Sequence, residues 1–516
     1  MGKYKQITFD SVVRNPERYI GILECIKEFE GLVLNDANLL KIVSKLYLKG
    51  IVSSDKIVIE ENTTIEDIQD LVIEVNQSKK AIGGFPAGFT SRFHHYTWLP
   101  KELGFVYAKY NEPFLFSEIG KMFAEEELAE QEAFSIQAMK YNSKSPFRKN
   151  NNDYNFFKFI ITVLLKKSRI SYEQFIIATF SKNGDVDEFI KIISENSFNS
   201  PDEAYEFLKT DGYYGYKVNK FDTVTKTYPD VLRRVLVLSG FISIKYTGKR
   251  MMELNKNKRA YINELLAVEF TLSENQKKNP KEYFNALNSK NEKFLNIAYR
   301  YRDEDKIDGN LYLNKLLEII KENEISEEKI IKAINLIGSK NWRVIEEFKT
   351  IPDPLKLEFF ISILIVLKYG KQYNIRPNYK ADHLGKPYSH ASGNKGDIEI
   401  FSKEIYWLLE VTLIRNRTQQ LNHETTNVIR HLFSNEEFSD RLTKYLSLIA
   451  PVIHPDTKRF FDVSAVMEKS EEYKLNLKPY NLTEFIKITQ QEENFKDMEV
   501  YTQNIFEKFR NKLTTK

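Results

Sequence analysis

The segment GDIEIFSKEIYWLLEVTL, residues 396–413, constrains this chain more than any other. Its apolar residues alternate, as in two β-strands joined by a short polar turn at Ser402 to Glu404. The pairing register then decides where its acids lie. A two-residue loop at 402–403 sets Asp397 opposite Leu408 and diagonal to Glu410 on the same face. A four-residue loop at 402–405 sets Asp397 and Glu410 directly opposite each other, and only an odd loop length separates their faces. Two carboxylates on one face repel unless a cation lies between them, and all-oxygen ligands of this kind suit Mg²⁺. The alternative is a pair of solvent-facing acids on an edge strand, although the flanks DIEIF and YWLLEVTL read as buried.

Glu358 raises the same question from another element. It follows a helix start at Asp353-Pro354 and lies in PLKLEFFISILIVLKYG, a helix apolar nearly all round. A carboxylate there is costly unless paired or bound to metal, which makes Glu358, Asp397 and Glu410 a candidate metal-ligand set. On the next predicted helix, LNHETTNVIRHLF, Glu424 and His431 are seven residues apart and share a face. By themselves they read equally as a surface acid and a capping or core histidine.

Length and composition set the frame. A chain of 516 residues exceeds what one hydrophobic core organises, so two to four domains are expected. A single cysteine, Cys25, excludes an intramolecular disulfide framework and a Cys-rich zinc module, and fits a reducing, cytoplasmic setting. The N-terminus has no apolar signal core. The longest apolar run, FFISILIVL at 359–367, is far short of the ~20 residues a bilayer requires, so no membrane is expected as a partner. Neither a phosphate-binding G-x-x-x-x-G-K-[ST] loop nor a G-x-G-x-x-G fingerprint occurs, and no nucleotide cofactor is implied.

Residues 36–75 read as helix, short β segment at KIVIE, and helix. From Gly83 to Pro100 the chain reads as an exposed loop carrying Arg92, His94 and His95, with Lys101 just beyond, ahead of a strand, a turn at Asn111 to Pro113 and a helix. Residues 155–255 contain amphipathic helices followed by YPDVLRRVLVLSGFISIKYTGKRMMELN, which reads as helix, strand, glycine turn, strand. This is a winged-helix pattern, a common DNA-reading arrangement. Between 221 and 260 there are nine Lys and Arg against three acids, a surplus of six where the whole chain has only +4. Arg233, Arg234, Lys245, Lys249 and Arg250, with Tyr246 among them, form a candidate phosphate-contacting surface, the plainer reading being a solvated wing with scattered lysines. Residues 256–350 read as charged connecting helices, and 351–516 as the segment that holds the acids.

The run PYSHASGNKGDIEIFSKEIYWLLEVTLIRNRTQ, with ETTNVIRH and then LIAPVIHPDTKRFF at 448–461, resembles the cleavage domain of the AlwI-type family of type IIS restriction and nicking endonucleases. That family is related in plan to FokI. The resemblance is specific over roughly 350–465 and weaker but collinear upstream, where LGFVYAKYNEPFLFSEIGKMF at 103–123 is similar to the family's recognition region. It implies an α+β multidomain protein. Residues 1–255 would recognise double-stranded DNA through two units, about 1–145 and 146–255, the second winged-helix-like. Residues 256–350 would connect, and 351–516 would form an α/β nuclease domain of the PD-(D/E)xK-like kind. By the same resemblance, Glu358, Asp397, Glu410 and Glu424 fall on acidic metal-site positions and His431 on a histidine near them. The usual lysine two places after the second strand acid is replaced by Thr412, which leaves His431 or a lysine from elsewhere to activate water.

The expected activity is therefore Mg²⁺-dependent hydrolysis of phosphodiester bonds at a fixed offset from a short asymmetric site. Double-strand cutting would need a transient homodimer or a second nuclease subunit. A strand-specific nicking enzyme and the large subunit of a heterodimeric enzyme are variants of this reading. A DNA-binding regulator with a degenerate nuclease-like domain is the rival from another class.

Overall fold

The computed structural model describes all residues except 1–3, 10–12, 14–17, 60–62, 78–79, 211–219, 247, 303–308, 338–344, 349, 392–394, 416, 418–419, 422–425 and 515–516. The chain is mixed α+β and divides into two compact units, Met1–Asp303 and Glu304–Lys516. The helices of 256–350 divide between them. Arg259–Ala267 and Asn291–Arg302 bury Ile262, Leu265, Phe294 and Ala298 in the core of the first unit. Gly309–Glu322 and Glu327–Asn335 place Leu316, Ile319, Ile330 and Ile334 in that of the second. No helix among the described residues is long and apolar enough to cross a membrane.

Two expectations for the first unit are overturned. The alternating KIVIE segment forms no strand among its described residues, because no neighbouring strand pairs with it. The stretch expected as an exposed loop is instead largely a helix, Phe89–Glu102, with Phe93, His94, Leu99, Lys101 and Glu102 buried. Its polar residues mask the helical periodicity because they pair with one another and with Arg148. Glu102 accepts bidentately from Arg148 at 2.7 and 2.8 Å, and Lys101 Nζ lies 2.6 Å from His94 Nδ1. Beyond it, 106–107 and 115–116 pair as an antiparallel hairpin ahead of the helix Glu118–Ala124.

Further along, the helix Phe156–Lys167, the strand Arg169–Ser171 and the helix Tyr172–Ala178 precede the helix Tyr228–Leu238 and the hairpin Ile242–Tyr246 and Arg250–Leu254. Strand 250–254 lies between 169–171 and 242–246, and both pairings are antiparallel.

The second unit is built on a five-stranded mixed sheet. Its strands are β1 (Asn374–Pro377), β2 (Ile398–Phe401), β3 (Ile405–Val411), β4 (Thr443–Ala450) and β5 (Lys474–Asn481), in the spatial order β5-β4-β3-β2-β1. β3, β4 and β5 are parallel, while β2 runs antiparallel to both β3 and β1. Helices α1 (Asp353–Tyr369), α4 (Leu482–Gln491) and α5 (Asn494–Thr514) cover one face. Helices α2 (Thr426–Ser434) and α3 (Pro455–Met467) cover the other. The central strand β3 serves both cores, as a strand covered on both faces must. Trp407 and Leu409 pack toward α1, α4 and α5, and Tyr406 and Leu408 toward α2 and α3. This is why IYWLLEV is nearly continuously apolar, and why an acid within it is conspicuous.

Candidate active site

The β2–β3 register resolves the loop-length question. Phe401 pairs with Tyr406 and Ile398 with Leu409, which is the register expected for the four-residue connection 402–405, with Ile405 already paired to Thr443 as the first residue of β3. The ladder ends at Ile398 and Leu409, with Asp397 in the bend just before β2 and Glu410 the next residue of β3. The Ser402 side chain shapes the turn by accepting from the backbone N–H groups of Glu404 and Ile405 at 3.3 and 3.2 Å. At the other end of the hairpin, the N–H of Val411 donates to Asp397 Oδ2 at 2.7 Å, and the N–H of Asn378 donates to the Asp397 carbonyl at 2.8 Å. Glycine is required just before it. A Cβ on Gly396 would sit 2.3 Å from Leu408 Cδ1 and 2.8 Å from Glu410 Oε1.

Glu410 is buried on the α2 face, where His431 of α2 places Nδ1 2.8 Å from Glu410 Oε1. The two residues thus meet across the sheet–helix interface. Glu424, expected on the same helix face, lies outside the described residues. Thr412, at the position of the missing lysine, has its hydroxyl engaged in accepting from the Ile414 N–H at 3.2 Å. Among buried lysines of this unit, Lys356 is paired with Asp353 at 2.9 Å and Lys386 with Glu347. Lys380 is buried and paired in register with Ser389, the neighbour of His390.

Glu358 is 3 % exposed within α1. Its Oε1 lies 2.7 Å from His390 Nδ1, and its Oε2 is buried without a hydrogen-bond partner. Sequence reasoning missed His390. The available signal was a histidine in the polar loop leading to Asp397, but its partner lies 32 residues earlier. Glu399, paired in register with Leu408, has a different environment. It accepts from Arg376 Nε at 2.7 Å, Asn435 Nδ2 at 2.6 Å and the Tyr406 hydroxyl at 3.2 Å. Its charge is satisfied by protein alone. Among the described residues no group of three or more His, Cys, Asp or Glu side chains is gathered closely enough to hold a metal ion. The described carboxylates instead form the Asp397–Glu410 hairpin position and the Glu358–His390 pair.

The proposed DNA-contacting residues sort by burial. His94 and Lys101 are interior. Burial, with Lys101 and His95 nearby, pushes the His94 imidazole down to about 2, and burial lowers the Lys101 ammonium to about 7. The Lys101 ammonium lies over the Phe85 and Phe147 rings at 5.3 and 5.7 Å. Arg92 and His95 are half-buried on the same helix, with His95 stacked on Trp98. Arg233 is 3 % exposed and donates to Asp230 at 2.5 Å, and the half-buried Arg234 shares that carboxylate at 2.8 Å. These two cations are committed to Asp230. Lys245 and Lys249 are exposed on the hairpin, with Lys249 donating to Asn199 at 2.7 Å. The half-buried Arg250 lies over the rings of Tyr172 at 4.4 Å and Tyr246 at 5.6 Å.

The AlwI restriction endonuclease family matches this chain over residues 101–353 and 285–488. No curated protein matches. Among solved structures, the small subunit of the heterodimeric restriction endonuclease R.BspD6I is similar at 22% identity and a TM-score of 0.25, over 32% of this chain and 77% of that one. The family match takes in the basic hairpin, the Asp397–Glu410 hairpin and both imidazole–carboxylate pairs, and the chain belongs to the AlwI restriction endonuclease family.

Proposed function

We propose that the chain is a Mg²⁺-dependent type IIS restriction endonuclease, in which residues 1–255 recognise a short asymmetric DNA sequence and 351–516 cut at a fixed offset from it. The observation that carries the reading is Glu358. It is a buried carboxylate with one oxygen on an imidazole and the other unpartnered, in a unit where Asp397 and Glu410 lie just beyond the last pair of the β2–β3 ladder. An anionic oxygen in that position calls for a cation, and oxygen donors of this kind fit Mg²⁺. When bound, Mg²⁺ polarises the scissile phosphate and makes the attacking water more acidic. The chain's own residues hold the carboxylates. The Val411 N–H fixes Asp397, His431 fixes Glu410, and His390 contacts Glu358. With a hydroxyl at Thr412, His431 is the group placed to take or orient a proton during water attack. One acidic set cuts one strand at a time, so a double-strand break brings together two such domains, from a second copy or from a partner subunit.

Recognition is supported by the helix Tyr228–Leu238 running into the hairpin Ile242–Tyr246 and Arg250–Leu254, whose second strand lies between the first and the strand Arg169–Ser171. The helices Val186–Glu195 and Pro201–Thr210 stand between that strand's following helix and Tyr228–Leu238. We read this helix-then-hairpin end as winged-helix-like, with Lys245, Lys249 and Arg250 on its wing. The test is plasmid cleavage in Mg²⁺ by purified parent, Asp397→Ala and Glu410→Ala proteins, with gel-shift binding to the cut substrate's own sequence. Cleavage should be abolished in both variants while binding is kept or tightened, because removing a carboxylate relieves repulsion with phosphate. A folded Asp397→Ala protein that cuts at the parental rate refutes the site. A parent that binds one sequence and never cuts would instead be a regulator with a degenerate nuclease domain.

A further inference from the structure

We propose that His390 is a positioning residue, which orients the Glu358 carboxylate so that Oε2 is presented to the metal. The inference rests on the reading of Glu358 as a metal ligand, and it adds a residue that the family resemblance did not supply.

The ring nitrogen facing a carboxylate carries the proton, so His390 Nδ1–H donates to Glu358 Oε1 at 2.7 Å. That bond selects one rotation of the carboxylate. With Oε1 taken, the remaining oxygen is the buried, unpartnered Oε2. On α1 the neighbour one turn on, Ser362, donates its hydroxyl to the Glu358 carbonyl at 2.8 Å and does not partner Oε2. The Glu358 side chain is 4 % exposed and that of His390 38 %, so the imidazole bridges the interior carboxylate and the surface. The same device occurs at Glu410, where His431 also places Nδ1 against Oε1. Two carboxylates of one unit, on α1 and on β3, thus each have an imidazole Nδ1 against Oε1. If His390 served only to offset a buried charge, its loss would lower stability without any specific effect on metal binding.

The experiment is a Mn²⁺ titration of the full-length protein without DNA, read from the electron paramagnetic resonance signal of free Mn²⁺. The proteins compared are the parent, Glu358→Gln, His390→Leu and His390→Asn, with circular dichroism to confirm folding. Asparagine carries an N–H donor close to the position of Nδ1, whereas leucine carries none. Losing such a supporting hydrogen bond typically weakens metal binding by roughly 10- to 100-fold. His390→Leu should therefore weaken the site that Glu358→Gln removes by about tenfold or more, and His390→Asn should restore most of the affinity. If the leucine variant fails to fold, His390→Gln, whose donor sits one bond farther out, serves as the second misplacing variant. Parental Mn²⁺ affinity in a folded His390→Leu or His390→Gln protein, alongside loss in Glu358→Gln, overturns the positioning role and leaves the metal reading intact. Parental affinity in Glu358→Gln overturns the metal reading, and the positioning role with it.

Discussion

Replacing Gly396 by alanine tests the acidic hairpin without touching a carboxylate. The added Cβ would lie 2.3 Å from Leu408 Cδ1, 2.9 Å from Leu408 Cγ and 2.8 Å from Glu410 Oε1. Ordinary carbon contacts begin near ~3.5 Å, so Leu408 must retreat by about 1.2 Å and the Glu410 oxygen by a little over half that. The backbone cannot swing away. Asn378 Nδ2 donates to the Gly396 carbonyl at 2.7 Å, and the Asn378 N–H donates to the carbonyl of Asp397 at 2.8 Å. Leu408 is fully buried between α2 and α3, so it has no open space to enter. Overpacking of this kind costs about 1–3 kcal/mol, and displacing a catalytic group by ~1 Å can cost on the order of 100-fold in rate. Gly396→Ala should therefore lower plasmid cleavage by roughly 10- to 100-fold with a modest fall in melting temperature. Gly31→Ala is the matched control. Its Cβ meets nothing within 4 Å, but its φ of +86° strains alanine, so it should cost stability and leave the cutting rate unchanged. A Gly396→Ala protein that cuts at the parental rate would show that Glu410 need not occupy this position for catalysis.

Two further predictions concern the first unit. Arg233→Ala should act through stability, losing about 1–3 kcal/mol because a buried side chain and its bond to Asp230 are lost while Arg234 keeps that carboxylate paired, whereas Lys245→Ala with Lys249→Ala should weaken DNA binding and leave stability within ~0.5 kcal/mol. Thermal melts and gel shifts on both proteins check this, and the reverse pattern would return Arg233 to the binding surface. Burial lowers both Lys101 and Lys140 from 10.5 to about 7. Between pH 7 and 9 the unfolded chain therefore holds these protons and the folded chain releases them, so their contribution to stability rises with pH across that window, by up to ~1.4 kcal/mol per pH unit for each group. Melting temperatures of the parent and Lys101→Met at pH 7, 8 and 9 should show a shallower rise in the variant. An unchanged slope would mean that Lys101 is not held in this environment.

What the sequence made legible was local. The polar turn Ser402 to Glu404 allowed the register that the hairpin adopts, and the apolar surroundings of Glu358 marked it as a costly acid. What it concealed depends on contacts between distant residues. His390 gains its meaning from Glu358, which belongs to another element. The helix Phe89–Glu102 looked like a loop because its polar residues are satisfied in the interior, by Arg148 and by the Lys101–His94 contact, and no local pattern announces such a partner. In the same way, Arg233 counted toward a basic surface until its burial against Asp230 was seen. KIVIE has the right period for a strand, but a strand also needs a neighbour.

The buried glutamates show how the two kinds of acid differ physically. Glu102 and Glu132 are each gripped by both arms of a guanidinium, from Arg148 at 2.7 and 2.8 Å and from Arg302 at 2.8 and 2.7 Å. Glu399 has its oxygens divided among Arg376, Tyr406 and Asn435. A planar fork of N–H donors saturates a carboxylate and cancels its charge, which is what a purely structural acid requires. Glu358 and Glu410 are met by histidines instead, and an imidazole offers one N–H to one oxygen. At Glu358 that leaves Oε2 without a hydrogen-bond partner. An arginine in place of His390 would hold Glu358 through both oxygens and consume the one that a cation needs. The choice of imidazole over guanidinium at these two positions, within a chain that uses guanidinium at three other buried glutamates, is the physical reason to separate Glu358 and Glu410 from the acids that merely hold the fold together.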